Sequence, residues 1–530
     1  MNDFWRKGEP YIWTTAAALA TTLLLAAVLI VVVLVNGLGV FWPSRVAVAE
    51  LQDGTRVMGE IIRHEAIFDG EGQRVQFKIG NRDLYGLDFR WVNEADINRM
   101  SYPDDVIVLE RQEHGNFYGT LANLEGRTVT SPAQGWAELR QRLRQLAGEQ
   151  DRIAEMSGKL ADLNGQVARL RLRERKLLYR GLTAEDARVA ELQTRRETLE
   201  RRFHELADQQ SDLISSLRER TATFVDVSGN EREMPLVDIV RPYQPNRMSL
   251  PAKVAHYAGK LWELLSDEPR ESNTEGGLFP AIFGTVMLIF VMSLFSFPLG
   301  VLAAIYLREY AKEGVIVRMV RIAVNNLAGI PSIVYGIFGL AFFVYGIGGS
   351  IDQLFFPERL PDPTFGTGGI LWASLTLSLL TVPVVIVATE EALGAIPNGV
   401  REGSLALGAT KLQTLTRILL PMASPGIMTG LILAMARAAG EVAPLMITGV
   451  VKLAPSLPLD GQFPFLHLDR KFMHLGFHIY DIGFQSPNVE AAKPMVFVTT
   501  LLLVLIVLVM SSVAIRLRNK MKKRYTYSTF

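Results

Sequence analysis

The sequence predicts a polytopic all-α membrane protein that carries a large insert of β-strands and paired long helices. Six charge-poor apolar runs are each long enough to cross a bilayer, which takes about 20 residues. Between the first two runs, residues 45–275 change to short alternating patterns and then to heptads. We therefore expect an N-terminal segment with the first span in residues 1–44, the insert in 45–275 and the main membrane domain in 276–530.

The apolar runs set the bounds of the six expected spans. The first run, Tyr11–Ser44, has its core at Ile12–Val35 and is too long for a secretory signal. No clear cleavage site with small residues follows it, so we expect a retained anchor. The other runs are Gly276–Leu307, Ile322–Ile351, Pro363–Thr389, residues 421–451 and Pro494–Ile515.

Basic residues beside the runs predict the orientation, because short cytoplasmic loops carry an excess of Lys and Arg. The tail after Ile515 is basic and has no acidic residue. The loop after the second run holds Arg308, Lys312, Arg318 and Arg321. Six spans with these segments inside place both termini in the cytoplasm and the insert on the outer side, with lipid around the spans.

The first part of the insert, residues 46–110, predicts a small β domain, with turns at Asp53-Gly54 and Asp69-Gly70. Its expected strands are Arg45–Glu50, Val57–Ile62, Val75–Ile79 and Val106–Glu110. A β-like return is expected at Thr223–Val227 and Leu236–Val240.

Residues 136–220 repeat apolar residues every seven positions and predict an antiparallel coiled-coil hairpin of two helices of about 35–40 residues. The repeats are Leu139, Leu146, Ile153, Leu160 and Val167, then Leu192, Leu199, Leu206 and Leu213. Tyr179–Leu182 interrupts the pattern, and Thr183 is the expected N-cap of the second helix. The hairpin is either a solvated spacer or dimer contact, or an arm that docks an extracytoplasmic partner.

Several function classes are excluded or disfavoured. A net charge of +1 without a concentrated basic patch gives no sign of nucleic-acid binding, and zero cysteines exclude thiolate metal sites and disulfides. No phosphate-binding Gly-x4-Gly-Lys-Ser/Thr loop and no His-Glu-x-x-His motif occurs. His467, His474 and His478 lie close in sequence but lack metal-site spacing. We expect no catalytic residue, no metal and no cofactor bound by this chain.

Two charges interrupt the fifth run. Arg437 and Glu441 are four residues apart and are expected on one helical face, where each partly offsets the other's cost in the bilayer. A guanidinium there suits recognition of an oxyanion in a substrate pathway; the alternative is a structural ion pair. In the third run, Ser332 follows Pro331, and the disturbed helix either helps an anion shed water or is merely kinked.

The loop 390–421 between the fourth and fifth runs carries Glu402-Gly403-Ser404-x-x-x-Gly408, followed by Ile418-x-Leu-Pro421. It resembles the coupling loop of permeases in ATP-binding-cassette importers, with Gly403 and Ser404 where the family usually has Ala. We expect a helix at Glu402–Ala409. The resemblance implies that Arg401 and Glu402 face an ATPase and that Gly408 allows the turn before Ala409; an amphipathic loop helix without a partner is the alternative.

From about Asn273 to the C-terminus, the chain is similar to the PstA-type permease subunits of bacterial phosphate importers. The shared motifs include Pro331-Ser-Ile-Val-Tyr-Gly336, Gly426-Ile-Met-Thr-Gly430 and Ala436-Arg437-x-x-Gly440-Glu441. The resemblance implies the type I importer permease fold, a MetI-like bundle, in a bacterial inner membrane. It also implies a second permease subunit, two ATPases that use the ATP, and an extracytoplasmic phosphate-binding protein; the insert makes this a long form.

Two other functions remain open from the residues. Permeases for other oxyanions, such as sulfate or molybdate, share the coupling-loop pattern, and charge does not separate these anions. A membrane-anchored envelope scaffold or sensor built on the hairpin is the second alternative, although six spans and a coupling loop exceed what an anchor needs.

Overall fold

A computed structural model describes residues 8–67, 72–461, 465–486 and 489–525. Its contacts divide the chain into two compact units. The membrane unit holds the chain up to Val40, Leu265–Glu268 and the residues from Gly277 onward, and the insert unit holds Phe41–Leu264 and Pro269–Gly276.

The chain enters the membrane unit through α1 (Glu9–Gly39), whose apolar side chains are exposed along nearly the whole helix. It approaches the last helix closely at Gly37, where a Cβ would lie 3.2 Å from the backbone oxygen of Phe497. A helix that is apolar on every side and buries almost none of it within the chain is suited to lipid or to another membrane subunit.

The insert unit begins with a five-stranded antiparallel sheet in the order β4-β3-β2-β1-β5. Its elements are β1 (Val46–Leu51), β2 (Arg56–Ala66), β3 (Gln73–Lys78), the short helix α2 (Arg82–Tyr85), β4 (Phe89–Asn93) and β5 (Ile97–Ser101). Alternate residues such as Ala47, Ala49, Val75 and Phe77 are buried on one face, as period-two patterning predicts. The turn expected at Asp69-Gly70 lies outside the described residues.

A second sheet joins strands from before and after the hairpin, in the order β10-β9-β7-β6-β11 with β8 paired to β7. The strands are β6 (Ile107–Arg111), β7 (Phe117–Leu124), β8 (Arg127–Thr128), β9 (Thr221–Val225), β10 (Glu231–Pro235) and β11 (Ile239–Tyr243). The strand expected at Leu236–Val240 is wrong in its first half, because Leu236–Asp238 forms a 3-10 turn that separates β10 from β11.

The heptad region forms two long helices, α3 (Pro132–Tyr179) and α4 (Ala187–Arg218). They are antiparallel, since Arg171 pairs with Glu200 at 2.7 Å and Gln210 donates to the Ile153 carbonyl at 3.1 Å. The expected N-cap was wrong: Asp186, not Thr183, accepts from the first turn of α4, through the Arg188 amide at 2.9 Å. The first helix is longer and the second shorter than the heptads predicted.

The apolar residues of the hairpin nearest the sheet also belong to a hydrophobic core. Leu139, Leu146 and Leu217 are buried together with Phe117 and Phe224 of the second sheet. The hairpin is therefore rooted in a hydrophobic core, while its distal part is held by contacts between the two helices alone.

A buried ion-pair network surrounds Glu263 of α5 (Leu250–Ser266), which is 5% exposed. Its carboxylate lies 3.1 Å from Lys260, 3.1 Å from Arg241 and 2.6 Å from Arg270. The remaining insert strands are β12 (Pro269–Arg270) and β13 (Glu275–Gly276). Three cations around one carboxylate offset the cost of removing it from water.

Six helical segments in the described part of the chain are long and apolar enough to cross a membrane, which confirms the predicted number of spans. They are Glu9–Gly39, Phe279–Tyr310, Ser332–Phe355, Ile370–Gly394, Lys411–Gly440 and Val489–Lys523. In the membrane unit after the insert, the helices are α6 (Phe279–Ile305), α7 (Val315–Leu327), α8 (Ser332–Phe338), α9 (Gly349–Phe355), α10 (Ile370–Gly394), α11 (Asn398–Ala406), α12 (Lys411–Thr414), α13 (Leu420–Gly440), α14 (Ala443–Thr448), α15 (Leu475–Tyr480) and α16 (Val489–Tyr525). Short π-helical turns continue α6 and join α8 to α9 and α12 to α13.

The limits of two expected spans, the third and the fifth, are corrected. The third span begins at Ser332 rather than Ile322, because Pro331 precedes the first residue of α8 and the residues before it form the separate amphipathic helix α7. The fifth span begins at Lys411 and ends at Gly440 rather than continuing to residue 451. The chain is then extended at Glu441 before α14 starts.

Small residues allow the central spans α6, α10 and α13 to approach closely. A Cβ on Gly300 would lie 2.7 Å from Val385, and one on Gly430 would lie 2.7 Å from Ala388. Packing through glycines is the usual device where lipid leaves no hydrophobic gain for helix association. These contacts fix the bundle on which the candidate site is built.

Candidate functional site

The coupling-loop helix, α11, runs from Asn398 to Ala406. It begins and ends earlier than the expected Glu402–Ala409, because Pro397 supplies its N-terminal boundary and Gly408 adopts φ +84°. The amide of Gly408 donates to Leu405 at 2.9 Å, and the amide of Ala409 donates to Ser404 at 3.2 Å. The left-handed glycine thus ends the helix and reverses the chain.

Arg401 is directed inward and its side chain is only 17% exposed. Its Nη2 donates to Glu309 at 2.9 Å and to the Leu393 carbonyl at 2.7 Å, and its Nη1 donates to the Ile396 carbonyl at 2.7 Å. These bonds tie α11 to the end of the second span and to the end of α10. Glu402, in contrast, is exposed. The expected surface role therefore fits Glu402, while Arg401 holds the loop in place.

The two small residues after Glu402 differ in their surroundings. Ser404 is buried, and its hydroxyl lies 2.9 Å from the hydroxyl of Thr414. A Cβ on Gly403 would meet nothing within 4 Å. Ser404 is therefore packed inside the described structure, whereas Gly403 faces open space there.

Sequence reasoning missed two partners of this loop and one exposed apolar residue in it. Glu309 is the acceptor for Arg401, and its signal was a carboxylate at the end of the second apolar run. Thr414 lies ten residues after Ser404, is also buried, and is the hydrogen-bond partner of the Ser404 hydroxyl. Leu407 is 91% exposed, and its signal in the sequence was an apolar residue in the turn between two loop helices.

Arg437 lies in the last turn of α13, where the helix dipole favours a cation. Its Nε is 3.6 Å from Oε1 of Glu441, which is beyond hydrogen-bond distance. The expectation that the two share one helical face is wrong, because Glu441 follows the end of the helix with φ −78° and ψ 133°. Within the described residues, Arg437 has this ion pair and makes no hydrogen bond.

The break after Arg437 lies against the third span. A Cβ on Gly336 would be 2.8 Å from Cα of Pro444, so α8 and α14 are in backbone contact. Tyr335 is buried in the same cluster as Ala438 and Leu445, and its hydroxyl donates to the Leu327 carbonyl at 2.6 Å. Discontinuous helices at this kind of packed junction are a feature of transporter binding sites.

Ser332 is the first residue of α8 and is partly exposed. No hydrogen bond links it to Arg437 in the described part of the chain. The structure therefore places Ser332 on the element that packs beside the Arg437 break, without a hydrogen bond between the two side chains among the described residues.

The three neighbouring histidines have separate structural partners. His467 lies 3.0 Å from Asp460, His474 accepts from the Gly476 amide at 3.1 Å, and His478 lies 3.2 Å from Thr499. Over the described ranges, no group of three or more His, Asp or Glu side chains could hold a metal ion. The described residues thus offer an arginine at a helix break and a loop helix as the candidate site.

Comparison with known proteins identifies the membrane half. Residues 296–523 match the family described as binding-protein-dependent transport system inner membrane component. The chain is 34% identical over 198 residues to the probable ABC transporter permease protein YqgH of Bacillus subtilis, covering 37% of this chain and 60% of that protein. It is 31% identical over 223 residues to YqgI of the same organism, covering 41% and 70%. It is 34% identical over 221 residues to the probable phosphate transport system permease protein PstA of Methanocaldococcus jannaschii, covering 41% and 67%.

The matched residues contain the coupling loop, the Arg437 break and the last four spans. The relatives carry the names of permeases and not of enzymes, and the predicted resemblance to PstA-type subunits is confirmed. With six helical segments long and apolar enough to cross a membrane in the described part of the chain, the multi-pass permease fold is confirmed as well. The chain belongs to the family of inner-membrane permease components of binding-protein-dependent transport systems.

Proposed function

We propose that this chain translocates inorganic phosphate across the bacterial inner membrane, as a permease subunit of an ATP-driven importer. Family membership supports the transport role, and the relative named as a phosphate transport permease supports the substrate. The observation that carries the proposal is Arg437, a guanidinium at a helix break that makes no side-chain hydrogen bond within the described residues and lies 3.6 Å from Glu441.

The chemistry of Arg437 suits a transient oxyanion site. Its planar donors match two oxygens of a phosphate, and each charge-assisted bond is about twice as strong as a neutral one. Glu441 at 3.6 Å offsets part of the positive charge. An anion is therefore attracted without being held so firmly that release becomes slow. Ser332, on the helix packed beside the break, is a proposed contributor to the same pathway.

Energy and substrate delivery are assigned to partner subunits. We expect two separate ATPases to bind ATP and to grip α11 and its flanks, Arg401 to Ala409. A second, homologous permease subunit would complete the pathway, and a phosphate-binding protein would deliver the substrate to the outer side. Both termini of this chain would lie in the cytoplasm. Closure of the ATPases would push on α11 and open the bundle outward, and hydrolysis would reset it.

The test is uptake of radiolabelled phosphate by cells whose phosphate import depends on this chain. Arg437→Gln should lower uptake tenfold or more, about 1.4 kcal/mol or more, because the paired donors are lost. Arg417→Gln is the matched control: it removes one exposed arginine from the same span, and uptake should stay within about twofold.

Three outcomes would contradict parts of the proposal. Normal uptake by the Arg437→Gln strain, with the protein present at normal level, would remove this residue from the pathway. Competition by unlabelled sulfate or molybdate, but not by phosphate, would replace the substrate with another oxyanion. Uptake that survives deletion of the chain, in cells with no other importer, would favour a scaffold or sensor role.

A further inference from the structure

A basic pocket opens between the first half of α13 and the last part of α16, away from the Arg437 break. Its volume is about 510 Å³. Met422 and Pro425 form an apolar wall on α13, and Arg518, Asn519 and Lys522 line it from α16. Among the described residues that line it, none is acidic. Such a pocket has the charge and the mixed polarity to hold a molecule with an anionic group and an apolar body.

Thr429 fixes the position of Arg518 at this pocket. The Thr429 hydroxyl donates to the Pro425 carbonyl at 3.0 Å, so its proton is already used. Its free lone pair accepts from Nη1 of Arg518 at 3.3 Å. The guanidinium is thus held half-buried against the wall of the pocket, with most of its five donors left for another acceptor.

Arg518 lacks a carboxylate partner in the part of the chain that the structure describes. Two other half-buried arginines of this unit differ: Arg401 pairs with Glu309 at 2.9 Å, and Arg321 lies 3.5 Å from Glu390. A partly desolvated cation without a counter-ion is costly, and a bound anion relieves that cost.

The depth of the pocket points to the source of the anion. The apolar run of α16 ends at Ile515, and the candidate span continues to Lys523, so Arg518 and Lys522 lie where the helix passes from hydrocarbon to the polar boundary. A phospholipid places its phosphate at this level and its acyl chains beside apolar side chains such as Met422. Free inorganic phosphate would use the same cations but gains nothing from the apolar wall.

We propose that this pocket binds the phosphate of an anionic phospholipid headgroup. Arg518 is the main phosphate ligand, Lys522 supplies the second positive charge, and Thr429 positions the guanidinium. The site lies outside the proposed substrate pathway, and its occupancy does not depend on which anion the chain transports.

The test is lipid retention by the full-length chain in detergent, measured by native mass spectrometry during titration with phosphatidylglycerol or phosphatidylcholine. The unaltered chain should retain phosphatidylglycerol in preference. Arg518→Gln with Lys522→Gln should weaken this retention about tenfold or more, since each basic residue near an anionic headgroup contributes about a factor of five. Arg516→Gln with Lys520→Gln removes the same two charges from the same helix outside the pocket, and retention should change less than about threefold.

Thr429→Val keeps the side-chain shape and removes the acceptor for Arg518, so it should weaken retention by an intermediate factor with both charges present. It also provides the answer if the double variant fails to fold. Equal losses in the two double variants, or equal retention of the two lipids, would overturn the proposal. Displacement of phosphatidylglycerol by millimolar inorganic phosphate would replace the lipid with a free anion.

Discussion

Arg401 in the coupling loop and Arg437 at the end of α13 are both arginines, but the structure surrounds them with different numbers of hydrogen-bond acceptors. Arg401 donates hydrogen bonds to Glu309 and to the carbonyls of Leu393 and Ile396, all at 2.9 Å or less. Within the described ranges, Arg437 has one ion pair, at 3.6 Å from Glu441. The difference teaches that a satisfied arginine fixes the structure around it, whereas an incompletely satisfied one is available to a ligand.

Their neighbourhoods follow the same contrast. Around Arg401 the chain is tied to two spans and to a capped turn, since Thr410 and Gln413 form a capping box at the start of α12. Around Arg437 the helix stops, and the chain is extended before α14. A rigid loop suits transmission of force from an ATPase, and a discontinuous helix suits a site whose partners change during transport.

The strongest test compares stability after the same substitution at both arginines. Arg401→Gln should lower the free energy of unfolding by about 3 kcal/mol, because it leaves the Glu309 carboxylate without its counter-charge and two carbonyls without a donor. Arg437→Gln should change it by less than about 0.5 kcal/mol. Thermal unfolding of the detergent-purified chain measures both. Equal losses at the two positions would end the distinction drawn between them.

Glu263 of the insert extends the comparison to a carboxylate. Burial alone raises the pKa of Glu263, but Lys260, Arg270 and Arg241 outweigh it and hold the pKa below its ordinary value. A lowered pKa contributes stability that is present above the unfolded value near 4.5 and is lost as the pH falls through the folded value. Glu263→Gln should therefore cost about 2 kcal/mol at pH 7, and the cost should shrink below pH 4.5.

The measurement is thermal unfolding of the full chain and of the variant at pH 7 and pH 4. Glu402→Gln is the control, since Glu402 is exposed and has no ion pair within the described ranges. Its effect should be small at both pH values. A Glu263→Gln cost that stays constant from pH 7 to pH 4 would show that the network stabilises the fold by packing rather than by charge.

The smallest expected effects are changes in the free energy of unfolding that have opposite signs at two glycines of the coupling loop. Gly408→Ala should destabilise the chain by about 1 kcal/mol, because φ +84° is unfavourable for a residue with a Cβ. Gly403→Ala should stabilise it by up to about 1 kcal/mol, because Gly403 is inside α11 and its Cβ would enter open space. Unfolding of both variants side by side checks the two signs.

In the assembled transporter the same pair also tests transmission. Gly408→Ala should lower phosphate uptake per ATP hydrolysed, whereas Gly403→Ala should leave that ratio unchanged. If Gly403→Ala uncouples the two activities instead, Gly403 is in contact with an ATPase and its open side is an interface.

The six spans and the coupling segment could be predicted because their signals are local. The thickness of the bilayer sets the length of each apolar run, and a helix satisfies its own backbone, so composition over about 20 residues suffices. Span limits were less accurate where the backbone changes course. Pro331 precedes the start of α8 and Gly440 ends α13, both inside apolar sequence, and hydrophobicity does not register such a change.

Other features depend on residues far apart in the chain. The second sheet pairs β7 with β9 across the whole hairpin, and the partner of Arg401 is Glu309, 92 residues away. Composition and local pattern fixed which segments are helical, apolar and charged, because these follow from the solvent each segment must match. Which arginine is satisfied and which is left for a ligand was decided by tertiary packing, because the energy of a buried charge depends on the acceptors that the fold brings within hydrogen-bond distance.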